Sequence, residues 1–200
     1  MMRWLSRIFI AVAVLSAAGY AAFKFSPWPS VLLIRHTFDK DSAVRNEALT
    51  KHKPSSVEVI KDVPYGSGKF DVFLPEGPGP HPLVLWIHGG AFIAGQKEDI
   101  APYLEILASK GFTVIGIGYT TAPTAKYPEP VNQVNEAMAF ALGKTAEYRF
   151  DPAKLFIAGD SAGAQLAAQT AAIITGPDYA ASTGIKPAAK PDQLRGVLLN

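Results

Sequence analysis

The sequence predicts an α/β fold, a mostly parallel sheet wound with helices and preceded by an antiparallel lead-in. Apolar runs of strand length alternate with helix-length segments from Leu83 to the end of the chain. The first of these strands, Leu83-Val84-Leu85-Trp86-Ile87, is continuously apolar, as expected of a strand buried on both faces. Before it, two short alternating runs flank a Gly-containing turn, the pattern of a hairpin.

Taken in order, residues 1–25 form a membrane anchor or signal segment: Arg3 and Arg7 precede an uncharged run from Ile8 to Phe23, closed by Lys24 and Ser26-Pro27-Trp28-Pro29. The run is longer than most signal-peptide cores and shorter than the roughly 20 residues of a comfortable span, although Trp4, Leu5 and Phe25 extend it. Ser16 and Ala18, or Gly19 and Ala21, suit signal peptidase. An uncleaved helix would keep the two arginines cytoplasmic and put the domain outside the cytoplasm. Burial as a core helix is disfavoured by the Arg-rich start and the Pro-broken exit.

Residues 26–55 are a connecting segment, with Val31, Leu32, Ile34, Phe38, Val44 and Leu49 giving loose helical spacing over Val31–Lys53. Residues 56–200 are a partial α/β domain. Val57–Ile60 and Phe70–Leu74 are strands about the turn Tyr65-Gly66-Ser67-Gly68, and Glu76–Pro82 is a Gly/Pro link to the first parallel strand. Then come a helix near Ile100–Lys110, a strand at Phe112–Ile117, a helix over Val131–Leu142 and a strand at Leu155–Ala158. A helix from Ala162 to about Ile174, a loop Pro177–Pro191 and a strand Gly196–Leu199 complete the series. The loop is either a surface connection or part of a lid.

Composition narrows the function. The chain is 48% hydrophobic and 18% charged, enough to bury a core. Nineteen basic and seventeen acidic residues leave a net charge of +2 with no basic stripe, so nucleic acid is not an expected partner. The absence of cysteine removes disulfides, thiolate zinc sites and cysteine nucleophiles. Histidine spacing matches no metal triad, and there is no dinucleotide or P-loop signature.

Two motifs carry chemistry. Gly159-Asp160-Ser161-Ala162-Gly163 lies between a strand and a helix, the context in which a nucleophile elbow exposes a serine hydroxyl. Gly159 and Gly163 support it because a tight turn leaves no room for side chains there, and Asp160 is read as a structural neighbour pointing away from the hydroxyl. His88-Gly89-Gly90-Ala91-Phe92 follows the buried strand, so the N–H groups of Gly89 and Gly90, with that of Ala162, are candidate oxyanion donors. His88 precedes the nucleophile and is read as a structural hydrogen-bonder rather than a base.

These motifs, with Tyr119-Thr120-Thr121-Ala122-Pro123 and Tyr127-Pro128 between them, resemble the hormone-sensitive-lipase-like and acetyl-esterase branch of the α/β-hydrolases. The resemblance covers Val57–Asn200. It implies hydrolysis of short-chain carboxylic esters, small-molecule substrates, through an acyl-enzyme on Ser161, without any metal or organic cofactor. That branch usually carries Arg-Leu-Ala-Pro-Glu after the tyrosine, where this chain has Thr120, Thr121 and Thr124 in place of the arginine, leucine and glutamate. The resemblance also implies a triad acid and then a histidine after Ser161. All four histidines (His36, His52, His81 and His88) precede it, and the later aspartates, Asp178 and Asp192, come before the last strand. The expectation is therefore a chain truncated before its acid and histidine, inactive by itself, with an exposed final strand. An acylpeptidase or amide hydrolase of the same fold, and a non-catalytic binding protein, remain alternatives; oligomeric state is left open.

Overall fold

A computed structural model describes residues 2–200, so that Met1 lies outside the described residues. Strands β1 (Glu58–Tyr65) and β2 (Gly68–Leu74) form the antiparallel hairpin, turning at Gly66-Ser67. β2 pairs antiparallel with β4 (Thr113–Gly118); β3 (His81–Ile87), β5 (Phe150–Gly159) and β6 (Leu194–Leu199) continue the sheet in parallel. The order is β1-β2-β4-β3-β5-β6.

Alternation along β3 divides the core. Leu83, Leu85 and Ile87 face one side, where α4 (Glu129–Leu142) and α5 (Ala162–Thr175) supply Val134, Met138, Leu166 and Ile173. Val84 and Trp86 face the other, against Leu104 and Ala108 of α3 (Ala101–Ala108). Complete burial of such side chains stabilises by about 1.5–3 kcal/mol each relative to exposure. Both faces of β3 are thus covered, which explains its unbroken apolar run.

Three expectations need correction. The segment expected as a loop after α5 contains a short helix, α6 (Pro177–Thr183). Pro177 starts it, Gly184 at φ 70° ends it, and Ala180 packs into the core, so local helix signals outweighed the loop-like Pro, Gly and Ala content. β5 begins at Phe150, earlier than the apolar run, because Phe150 and Asp151 pair with His81 and Pro82 before a register shift. Elsewhere helix bounds differ by up to three residues from the spacing-based ones, and β1 runs on past Ile60 to Tyr65 after a register shift.

The N-terminal part is two helices, α1 (Met2–Phe25) and α2 (Trp28–Thr50), separated by Ser26-Pro27. Trp4–Phe25 is long and apolar enough to cross a membrane by length and composition, and none of it is buried against the domain. A core-helix role is therefore excluded in this structure. α2, by contrast, docks on the domain. Arg35 donates from Nε to the Ile93 carbonyl at 2.9 Å and from a terminal nitrogen to Thr121 Oγ1 and the Ala122 carbonyl at 3.1 and 3.2 Å. Lys53 pairs with Glu105 of α3 at 2.8 Å.

β6 lies at the sheet edge, with Leu198 and Leu199 exposed. At the other side of the sheet, a buried ion pair ties the segment before α3 to the hairpin. Lys97 Nζ lies 2.9 Å from Asp71 and 3.2 Å from Asp62, and also meets Glu98. The Lys97 and Asp71 side chains are only 7% and 3% exposed. Burial disfavours the ammonium, but its three carboxylates outweigh that and raise its pKa. Replacing Lys97 with Met leaves Asp71 buried without its cation, held among the described residues only by the Asp62 N–H, and the unfolding free energy from urea titration is expected to fall by about 3–5 kcal/mol.

Candidate active site

The loops that follow β3, β4 and β5 all leave the carboxyl edge of the parallel strands, and they bring the three motifs together. The turn after β5 is the tightest. A Cβ on Gly163 would overlap the carbonyl oxygen of Ile87, and one on Gly159 would meet the backbone of Gly163. With α5 pressed this closely on β3, the chain reverses at Ser161 with φ 50° and ψ −114°. This left-handed geometry in a residue with a side chain costs on the order of 1–3 kcal/mol. Ser161 N–H donates to the Asn200 carbonyl at 2.9 Å, and Asn200 N–H donates to Gly159 at 3.0 Å, so the end of β6 braces the elbow.

Ser161 Oγ itself makes no hydrogen bond among the described residues. Ser161 borders two spaces. One is a cavity of about 760 Å³ bounded by Ala91, Phe92, Ala122, Tyr127, Leu166 and Gln169, among others. The other, about 120 Å³, lies under α2 between Arg45, His88, Gly89, Gly90 and Asp160.

The loop after β3 is strained over several residues. Gly90 has φ 124°, and Ala91 and Phe92 have φ 53° and 61°. Gly89 has its bare Cα against the Asp160 carboxylate, and a Cβ on Gly90 would overlap the Ala94 carbonyl. Among the described residues, the N–H groups of Gly89, Gly90, Ala91 and Ala162 donate to no protein acceptor. Unpaired donors beside an open serine are what a developing oxyanion requires. Ala91 was not among the residues singled out from the sequence, yet it lines the larger cavity with Ser161 and Ala162. The signal was present in its place within the Gly-Gly-Ala run.

His88 is buried, and its ring stacks on Tyr119 at 4.3 Å with an 11° interplanar angle. Its Nδ1 donates to the Gly89 carbonyl at 2.8 Å, while its own carbonyl accepts from the Tyr119 hydroxyl at 3.1 Å. Burial lowers its pKa, opposed by the Gly89 hydrogen bond and by Asp160, so it supports the loop in its neutral form. Asp160 Oδ1 accepts from Trp86 Nε1 at 3.2 Å, which directs this carboxylate toward the sheet. His81 begins β3, at the opposite edge of the sheet from Ser161, and His36 and His52 are exposed on α2 and just after it. Asp178 and Asp192 are exposed in α6 and in the turn before β6.

The BD-FAE family profile matches residues 70–179, which include both motifs and more than half of the chain. The chain belongs to the BD-FAE family. Its backbone superposes on esterase B from Lactobacillus rhamnosis with a TM-score of 0.72 at 21% identity, covering 85% of this chain and 57% of that one. A hyperthermophilic esterase from Pyrobaculum calidifontis matches with a TM-score of 0.63 at 28% identity, over 80% of this chain and 50% of that one. Esterase LipW from Mycobacterium marinum matches with a TM-score of 0.64 at 25% identity, over 86% and 51% respectively. The fold is that of the α/β-hydrolases, with the antiparallel lead-in and mostly parallel sheet expected. This BD-FAE chain spans 50–57% of the length of these three esterases.

Three contacts in the BD-FAE chain had no clear sequence signal. Arg35 reaches from α2 to the loops carrying Ile93 and Ala122, and so meets Thr121 at one of the positions where the chain departs from the resembling branch. Gln133 is bonded to Thr120 at both its N–H and its hydroxyl, at 2.7 and 3.0 Å. Gln169 donates to the Tyr127 hydroxyl at 2.8 Å across the cavity rim.

Two stability measurements test this geometry. Ser161→Gly removes the cost of positive φ and is expected to raise the unfolding free energy by about 1 kcal/mol, net of glycine's added chain entropy. The sign for His88 follows from its lowered folded pKa: the unfolded chain binds the proton first, so its contribution is complete above about pH 6.5 and fades as pH falls below that. Urea titrations between pH 7 and 5 should therefore show falling stability in the parent and a shallower slope in His88→Gln.

Proposed function

We propose that this chain carries the nucleophile and oxyanion half of a serine carboxylesterase acting on short-chain esters. The observation that supports this best is the strained Ser161, its hydroxyl free of protein partners beside a roomy, largely apolar cavity and a row of undonated N–H groups. In this reading Ser161 Oγ attacks the ester carbonyl, and the N–H groups of Ala162, Gly90 and either Gly89 or Ala91 hold the oxygen that becomes negative. Collapse expels the alcohol and leaves an acyl group on Ser161, which water then removes. Each oxyanion donor is worth about 3–4 kcal/mol of barrier.

The hydroxyl must lose its proton to a base as it attacks. None of the four histidines is bonded to Ser161 Oγ, and His88 is held by Gly89 and Tyr119. We therefore assign the base and its orienting acid to residues outside these 200, which fits the chain's spanning about half the length of the esterases above. Gly159, Asp160 and Gly163 serve as elbow support in this scheme. The organisation proposed is residues 1–25 as an anchor or signal, 26–55 as a connecting helix and 56–200 as the hydrolase domain, held outside the cytoplasm. Of the two N-terminal fates, retention as an anchor is favoured because the apolar helix continues, after one Pro break, into a docked one.

Hydrolysis of p-nitrophenyl acetate and butyrate, compared with the matched anilides, tests the assignment on the complete gene product. Ester cleavage is expected, with kcat/KM reduced at least about a thousandfold by Ser161→Ala and little turnover from the 200-residue chain alone. Preferential anilide cleavage would make the enzyme an amidase, and unchanged activity in Ser161→Ala would remove Ser161 from the mechanism.

A further inference from the structure

The geometry points to a second membrane contact: the exposed face of α2 that carries Trp28 and Leu32 rests in the lipid interface, so that the cavity beside Ser161 opens at the bilayer surface. This inference rests on the reading of α1 as an anchor. Its own support lies in how α2 joins that anchor to the cavity wall.

Only Ser26 and Pro27 separate the end of α1 from α2. If α1 spans, the first turns of α2 cannot be far from the lipid, because two residues reach at most about 7 Å. The side chains found there suit such a place. Trp28 and Leu32 are 45% and 60% exposed, and with Arg35 they fall at i, i+4 and i+7 on one helical face. Trp has an apolar body with a polar edge and is favoured at the headgroup level, whereas in water an exposed Trp–Leu pair costs hydrophobic free energy.

The same face leads directly to the cavity. The Arg35 guanidinium lies 5.7 Å from the Trp28 ring centroid and donates to the carbonyls of Ile93 and Ala122. Ala122 lines the cavity, Ile93 follows the lining residue Phe92, and Ala122 N–H donates to the Phe92 carbonyl at 2.7 Å. Phe92 and Tyr127 on the cavity wall are themselves 37% and 68% exposed. Thus exposed apolar groups stand on α2 next to the anchor and on the cavity wall, and the Arg35 guanidinium links the two sets. The occupant of this surface is the bilayer, and the property it selects in an ester is solubility in lipid, whatever the acyl length.

These 200 residues contain no cysteine, so single-site spin labelling of the complete gene product needs only that any cysteine outside them be replaced by serine. Leu32→Cys, Tyr127→Cys and, as a control on the exposed link at the opposite edge of the sheet, Glu76→Cys would be labelled and reconstituted with phosphatidylcholine and phosphatidylglycerol vesicles. Flotation reports anchoring; collision with oxygen against a water-soluble nickel chelate reports depth. The oxygen-to-nickel ratio is expected to be severalfold higher at residues 32 and 127 than at 76. Chains that float but give equal ratios at all three sites overturn the docking and leave the anchor standing, as does shielding from both probes at 32 and 127, which would indicate a second copy there. Chains that fail to float overturn both readings. None of these readouts depends on turnover, so the esterase assignment is tested separately.

Discussion

The close approach of α5 to β3 is the constraint on which the site depends. Gly163 rests against the Ile87 carbonyl with no space for a side chain, and Gly159 is equally confined on the strand side. The chain can pass from β5 into α5 over this distance only by a turn so sharp that Ser161 takes a positive φ. Strain in the turn and exposure of the hydroxyl are therefore consequences of one packing contact. The bare stretch of backbone that follows β3 is the matching half: its strained residues leave their N–H groups unpaired at the same edge of the sheet.

What holds those two halves is buried polar structure as much as apolar packing. Trp86 holds the Asp160 carboxylate, Tyr119 and His88 brace the loop, and Arg35 ties that loop to the segment after β4. Losing one partner of such a contact costs more than the contact gains, because the remaining group stays desolvated. The loop thus keeps a conformation that its own backbone preferences oppose.

Much of this was legible in the sequence. β3 was readable because a strand covered on both faces must be apolar throughout, and the elbow because glycine on both sides of a serine between strand and helix has a steric reason. Helix α6 was not, since its Pro and Gly content reads as loop until Ala180 is seen to pack against the core. Ala91 carries no such steric signal, since a residue with a Cβ is not expected at φ 53°, where it nevertheless borders the cavity. Arg35 was beyond reach: its partners lie 58 to 87 residues away, and no local pattern marks a guanidinium that will bridge two distant loops. Contacts of that kind follow from the assembled fold.

The central claim is that Ser161 is acylated. Mass spectrometry of the complete gene product, quenched during turnover of a p-nitrophenyl ester and digested, would address it most directly. The account predicts an acyl adduct on the peptide containing Gly159-Asp160-Ser161-Ala162-Gly163, absent from Ser161→Ala. Active turnover with the adduct on another residue, or with none trapped on this peptide while hydrolysis persists in Ser161→Ala, would contradict it.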